Sequence, residues 1–186
     1  MSRFEPQVVA LRQMRDETAD TAERRGAMNI TIRDRWSEEE VVRLVGARED
    51  YVSIKSGALI EHPQFRLHMA RSLCGLANAG GGRVVLGVDD NGMPDGVPAT
   101  CADQTPTRAW LQELIPELLD PRPEAWKVHE VEPARHSAIP SGRVLLVVEI
   151  RGARAETGRS HCSTVDGTWW YTYPASVGRK AEAVNG

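Results

Sequence analysis

The sequence predicts an α/β (α+β) fold, a mixed β-sheet with helices packed on it. Two runs of strand length, residues 83–88 (RVVLGV) and 144–150 (VLLVVEI), are almost wholly apolar, as strands covered on both faces are. Apolar residues also recur at helical spacing in three other stretches, each behind a recognisable start signal. Glycines and prolines mark the junctions between these stretches.

Taken in order, residues 28–34 (MNITIRD) alternate, placing Met28, Ile30 and Ile32 on one face of a short strand. Ser37, Glu38, Glu39 and Glu40 form a capping box, in which the serine hydroxyl caps the amide of Glu40 and the Glu40 carboxylate reaches back. A helix follows from Glu38 to about Gly46, expected to bury Val41, Val42, Leu44 and Val45. Residues 51–55 form a strand through Tyr51, Val52 and Ile54. Pro63 opens a second helix whose apolar side is broad, with Phe65, Leu67, Met69, Leu73, Leu76 and Ala77, and Gly80, Gly81 and Gly82 end it. The 83–88 strand comes next, then the Asp90-Asn91-Gly92 turn. Pro106 and Thr107 open a third helix carrying Trp110, Leu111, Leu114, Ile115 and Leu118, ended by Pro121 and Pro123. Residues 126–131 form a strand, 135–142 a loop, 144–150 the second buried strand and 169–173 a short aromatic strand. The organisation read from this is an N-terminal arm with a short strand (1–35), one domain (36–180) and a tail (181–186).

Composition narrows the function. With 186 residues, 41% hydrophobic and 26% charged, the chain has the balance of a soluble globular protein. Its formal net charge is -3, so any contact with nucleic acid must come from a local basic patch and not from the field of the whole chain. No apolar run reaches membrane-spanning length, and the charged N-terminus is unlike a secretory signal. Cys74, Cys101 and Cys162 form no CxxC pair, which points to a cytoplasmic protein and not to a disulfide framework. His161 and Cys162 with Cys101 are too irregularly spaced for a zinc site, so no metal is expected there.

The stretch Ala77-Asn78-Ala79-Gly80-Gly81-Gly82 runs from a helix through glycines into a buried strand. It reads either as a tight helix-to-strand turn or as a place where a phosphate approaches the backbone. It is not a nucleotide-binding loop: no Gly-Lys-Ser/Thr follows, and the glycines precede a strand instead of following one. Asp89 and Asp90, at the end of the strand, suit either Mg²⁺ or Mn²⁺ ligation or capping of the turn.

Read together, Glu49-x-Tyr51-x-Ser53-Ile54-Lys55, the run from Leu76 through the glycines to Asp90, and Asn91-Gly-Met-Pro-Asp-Gly96 resemble the Schlafen AlbA-like family over about residues 37–180. The resemblance implies a mixed sheet with packed helices and a default role in binding DNA or RNA, as in a transcriptional regulator. Some members are metal-dependent endoribonucleases that use two glutamates before the lysine and an aspartate after the Gly-Val. Carried over, the first glutamate is Glu49, the aspartate is Asp89 or Asp90, and the lysine is Lys55. The second glutamate position is Ser53, a poor ligand for a hard divalent ion, unless Glu61 or Asp50 supplies the missing carboxylate in space. The arginine usual on the closing aromatic strand is also absent, although Arg179 and Lys180 follow shortly after.

The leading expectation is therefore a single-domain DNA- or RNA-binding protein that needs no cofactor and contacts mainly the phosphate backbone. Its candidate contacts are Lys55, Arg66, Arg71, Asn78, Gly80, Gly81, Gly82, Arg83, Arg179 and Lys180, on segments expected to converge near the glycine turn. The aromatics of residues 169–173 are candidate platforms for unpaired bases. The alternatives are a Mg²⁺- or Mn²⁺-dependent endoribonuclease built on Glu49 with Asp89 or Asp90, and a non-catalytic assembly subunit, for instance a homo-oligomer.

Overall fold

The structure is a computed structural model that describes residues 30–47, 51–101, 103–152, 162–164, 167–172 and 182–184. Glu49, Asp50, His161, Tyr173, Arg179 and Lys180, together with residues 1–29, lie outside the described residues.

Helix α1 (Glu38–Ala47) is followed by strand β1 (Val52–Lys55), a 3-10 turn (Gly57–Glu61), helix α2 (Phe65–Asn78) and strand β2 (Gly81–Leu86). Then come β3 (Val97–Pro98), α3 (Thr107–Leu114), a 3-10 turn (Ile115–Glu117), β4 (Trp126–Glu130), β5 (Arg143–Val144) and β6 (Leu146–Arg151). The last elements are β7 (Cys162–Thr164), β8 (Gly167–Thr172) and β9 (Glu182–Val184). The main sheet has the order β1-β2-β6-β4. In it β1 and β2 are parallel, and β6 runs antiparallel to both β2 and β4. This is the expected mixed sheet with helices on it.

Alternation along the strands builds two cores. On one face Val84, Leu86, Val128, Leu146, Val148 and Ile150 pack against α2 and α3. On the other, Val85, Val88, Val131, Leu145 and Val147 pack against α1 and Trp36. Helix α2 also lies against β7 and β8 of a second sheet, ordered β7-β8-β9. It is therefore covered on two sides, which accounts for the broad apolar stripe in its sequence. Residues 182–184, read from the sequence as tail, pair with β8. Among the described residues no helix is long and apolar enough to cross a membrane.

The capping box is present: Ser37 N donates to Glu40 Oε2 at 2.9 Å, and Glu40 N donates to Ser37 Oγ at 3.3 Å. Two expectations need correction. Val42 is 51% exposed and Val45, though packed against the core that holds Trp36, only half-buried, because Val41 and Leu44 take the central positions of α1 on the sheet. The described part of 28–34 forms no strand. Its backbone groups are satisfied by side chains instead of a ladder: Arg33 N donates to Glu149 Oε2 at 2.8 Å, and Lys127 Nζ donates to the carbonyls of Arg33 and Asp34. Strand-like pairing appears only at Ser37, as a parallel bridge to Glu132.

Candidate nucleic-acid interface

The glycine turn joins the end of α2 to the start of β2. Gly80 and Gly81 have φ of 102° and 113°, a region that favours glycine. A Cβ on Gly81 would lie 2.8 Å from the carbonyl oxygen of Ile150 and 2.9 Å from the nitrogen of Gly152. A Cβ on Gly82 would collide with Leu76 and with the Tyr51 carbonyl. Glycine is thus required here by the close approach of β1, β6 and α2, whatever else touches the turn.

A second glycine cluster explains the Asn91-to-Gly96 motif. A Cβ on Gly57 would overlap the Gly96 carbonyl, and one on Gly87 would sit 2.8 Å from Gly96 Cα. The Asp95 carboxylate fastens the junction, accepting from Ser56 Oγ at 2.6 Å and from Gly57 N at 2.9 Å. Arg143 Nη1 closes it from β5 by donating to Gly96 O at 2.8 Å.

Register separates the cations that were expected to converge. Lys55 stands opposite Leu86, and Val52 opposite Arg83. Gly81 begins β2 five residues before Leu86, so Lys55 lies about 17 Å along the strands from the glycine turn. Arg66 is twelve residues before Asn78 on α2, about 18 Å along the helix. Only Asn78 and Arg83, of the described candidates, adjoin the glycines. Asn78 Nδ2 reaches Cys74 Sγ at 3.6 Å, and Arg66 pairs with Glu117 at 3.0 Å. Half-buried Arg71 lies near Cys162, where burial works against ionisation of the thiol but the Cys74 contact, the largest influence, and the Arg71 charge hold it below its ordinary range.

Arg83 serves the interior. Its Nε donates to Glu149 Oε1 at 3.0 Å, and its guanidinium lies 5.2 Å from the Trp36 ring centre. Glu149 is fully buried and also contacts His129 Nε2 at 3.1 Å. Burial pushes the His129 imidazole below its ordinary range, outweighing the Glu149 carboxylate that raises it.

Of the carboxylate candidates, Asp89, Asp90 and Glu61 are among the described residues, and Glu49 and Asp50 are not. Asp89 accepts from the backbone nitrogens of Asn91 and Met93 at 2.9 and 2.8 Å, and from Asn91 Nδ2 at 3.3 Å. The Met93 N–H, foremost, and the Asn91 donors hold its carboxyl below the usual range although desolvation opposes them. Asp89 is thus the turn cap, while Asp90 is exposed. Ser53, at the second glutamate position, is buried with its Oγ 3.4 Å from Ser72 Oγ on α2. Glu61 ends the first 3-10 turn. Among the described residues no three His, Cys, Asp or Glu side chains gather as metal ligands.

The sequence reading missed a basic rim beside the glycine turn. Arg151 stands opposite Gly81 in register, exposed, and forms no ion pair among the described residues. By strand alternation it shares a face with Glu149, Arg83 and Lys127, whose register partner is Glu149. Arg33, 4.2 Å from the Trp36 ring centre, lies over the same residue as Arg83. Arg33 and Arg83 pair with Glu40 and Glu149, whereas Lys127, held by the Arg33 and Asp34 carbonyls, and Arg151 form no ion pair among the described residues. The available signal was parity: Val147, Glu149 and Arg151 fall on one face of a single strand.

The family model described as Schlafen, AlbA_2 matches residues 51–177, more than half of the chain. Glu49, Arg179 and Lys180 fall outside that match. No curated protein matches. The chain is similar to the N-terminal domain of a protein from Nitrosomonas europaea, solved by solution NMR and described as RecG-related. The identity is 18% over 77% of this chain and 92% of that one, with a TM-score of 0.45. The motif from Leu76 to Gly96, the mixed sheet and the family match agree: the chain belongs to the Schlafen AlbA_2 family.

Proposed function

We propose that the protein binds DNA or RNA through the phosphate backbone, at the rim formed by Arg151, Lys127 and the glycine turn. The observation that carries the reading is Arg151, an exposed cation with no partner carboxylate among the described residues, set in register beside Gly81. Family membership and the resemblance on which it was first read supply the default role. The local excess of positive charge is small and the whole chain carries -3, so binding is modest and falls steeply with salt. The burial of Ser53 and the capping role of Asp89 weigh against the nuclease alternative.

Fluorescence anisotropy with labelled single-stranded DNA, duplex DNA and single-stranded RNA at low ionic strength tests this. The expected result is binding that weakens as salt rises. Arg151→Ala should weaken it on every sequence and reduce the salt slope by about one. Absence of binding to all three at low salt refutes the proposal, and unchanged binding by Arg151→Ala removes the rim from it.

A further inference from the structure

Apart from the basic rim, the structure holds a cavity of about 700 Å³, whose lining includes Ile60, Glu61, Cys101, Asp103, Thr107 and Trp110. It lies between the first 3-10 turn, the segment after β3 and the first turn of α3. Its volume is in the range of small-molecule sites. Trp110 lines the cavity, is half-buried and stacks on Phe65 with ring centres 5.6 Å apart, which holds the indole in place.

The described lining carries two carboxylates, Glu61 and Asp103, both exposed, and among the described residues it holds no lysine, arginine or histidine. Thr105 N donates to Asp103 Oδ1 at 3.0 Å, fixing that carboxylate at the mouth. No ion pair engages Glu61 among the described residues. The N-terminus of α3 adds about half a positive charge at most, against the two carboxylates, so the described lining is net negative. That sign rejects phosphates and, with a fixed indole, suits a cation. Glu61, Asp103 and Cys101 do not cluster closely enough to chelate a metal ion.

We propose that this cavity binds a small organic ammonium ion, held over the Trp110 indole and neutralised by Glu61 and Asp103. Binding here is independent of nucleic-acid binding at the rim.

Cys101 supplies the probe. It lines the cavity and is half-buried, whereas Cys74 and Cys162 are buried, so it is the thiol that a soluble alkylating reagent reaches first. The experiment measures the rate of Cys101 alkylation by iodoacetamide on nucleic-acid-free protein, with benzylammonium or its neutral analogue benzyl alcohol at matched millimolar concentrations. Benzylammonium should slow the reaction severalfold in a saturable way and benzyl alcohol should have little effect. Glu61→Gln and Asp103→Asn should each reduce the protection, with tryptophan fluorescence changing in parallel. Equal protection by both compounds, or protection that survives both substitutions, overturns the proposal. So does the absence of protection, provided circular dichroism shows the protein folded.

Discussion

Arg83 donates from Nε to Oε1 of Glu149 at 3.0 Å, with the arginine side chain 14% exposed and the glutamate wholly buried. This contact accounts for a charged residue inside each apolar central strand. A buried pair stabilises little relative to apolar residues of the same shape, but breaking it leaves an uncompensated charge in the interior. Arg83→Ala is therefore expected to destabilise the fold by about 3–5 kcal/mol. Urea denaturation would check this. An unchanged midpoint would show that Glu149 finds its counter-charge elsewhere.

Glu38 offers a prediction with a defined pH window. It is buried, and its carboxylate accepts from Ala134 N at 2.8 Å and Ala138 N at 3.0 Å, tying the loop after β4 to the start of α1. Desolvation works against ionisation, but these N–H groups and the Ser137 hydroxyl outweigh it and hold the carboxyl below its ordinary 4.5. A folded-state value below the unfolded one means that the stabilisation is complete above pH 4.5 and is lost as pH falls through the lower folded value. Glu38→Gln should cost about 1.5–3 kcal/mol at pH 7. The gap between the variant and the original chain should narrow in melting curves taken below pH 4.5.

Two glycines give opposite expectations. Gly46 lies in α1 with open space where a Cβ would be, so Gly46→Ala should stabilise by about 0.5–1 kcal/mol. Gly57 sits where its Cβ would overlap the backbone carbonyl of Gly96, and backbone cannot turn aside as a side chain can. Gly57→Ala should separate the β1 and β3 segments and abolish cooperative unfolding, or lower the melting temperature by more than any surface change. Thermal denaturation of the pair tests whether the motif ending at Gly96 is a packing device.

Much of the fold was legible because local chemistry and burial agreed. The two apolar runs became β2 and β6, and the Ser37–Glu40 box became the start of α1. The site was less legible because register is a property of pairs of strands. Nothing local to Lys55 says that it stands opposite Leu86, at the far end from the glycines. The missing strand at 30–34 failed for a similar reason: its backbone partners, Glu149 and Lys127, are about a hundred residues away in sequence. Arg151 was overlooked because a charge after an apolar run looks like a strand terminus, and only antiparallel pairing sets it beside Gly81.

Asp89 separates the two readings of the family's aspartate. In this chain its oxygens accept from three donors of the turn at Asn91 and Met93, and its ionised state is stabilised by them. Replacing it removes those bonds, whether or not an ion ever visits. Asp89→Ala should therefore lower the melting temperature in metal-free buffer, because the turn's N–H donors lose their charged acceptor. A metal-ligand role makes a different forecast, because an ion that binds only the folded state raises the melting temperature with its concentration. Millimolar Mn²⁺ should leave the melting temperatures of the original chain and of Asp89→Ala equally unmoved. A rise of several degrees in the original chain, lost in the variant, would restore the carboxylate-site reading, with the cleavage of structured RNA as the next measurement.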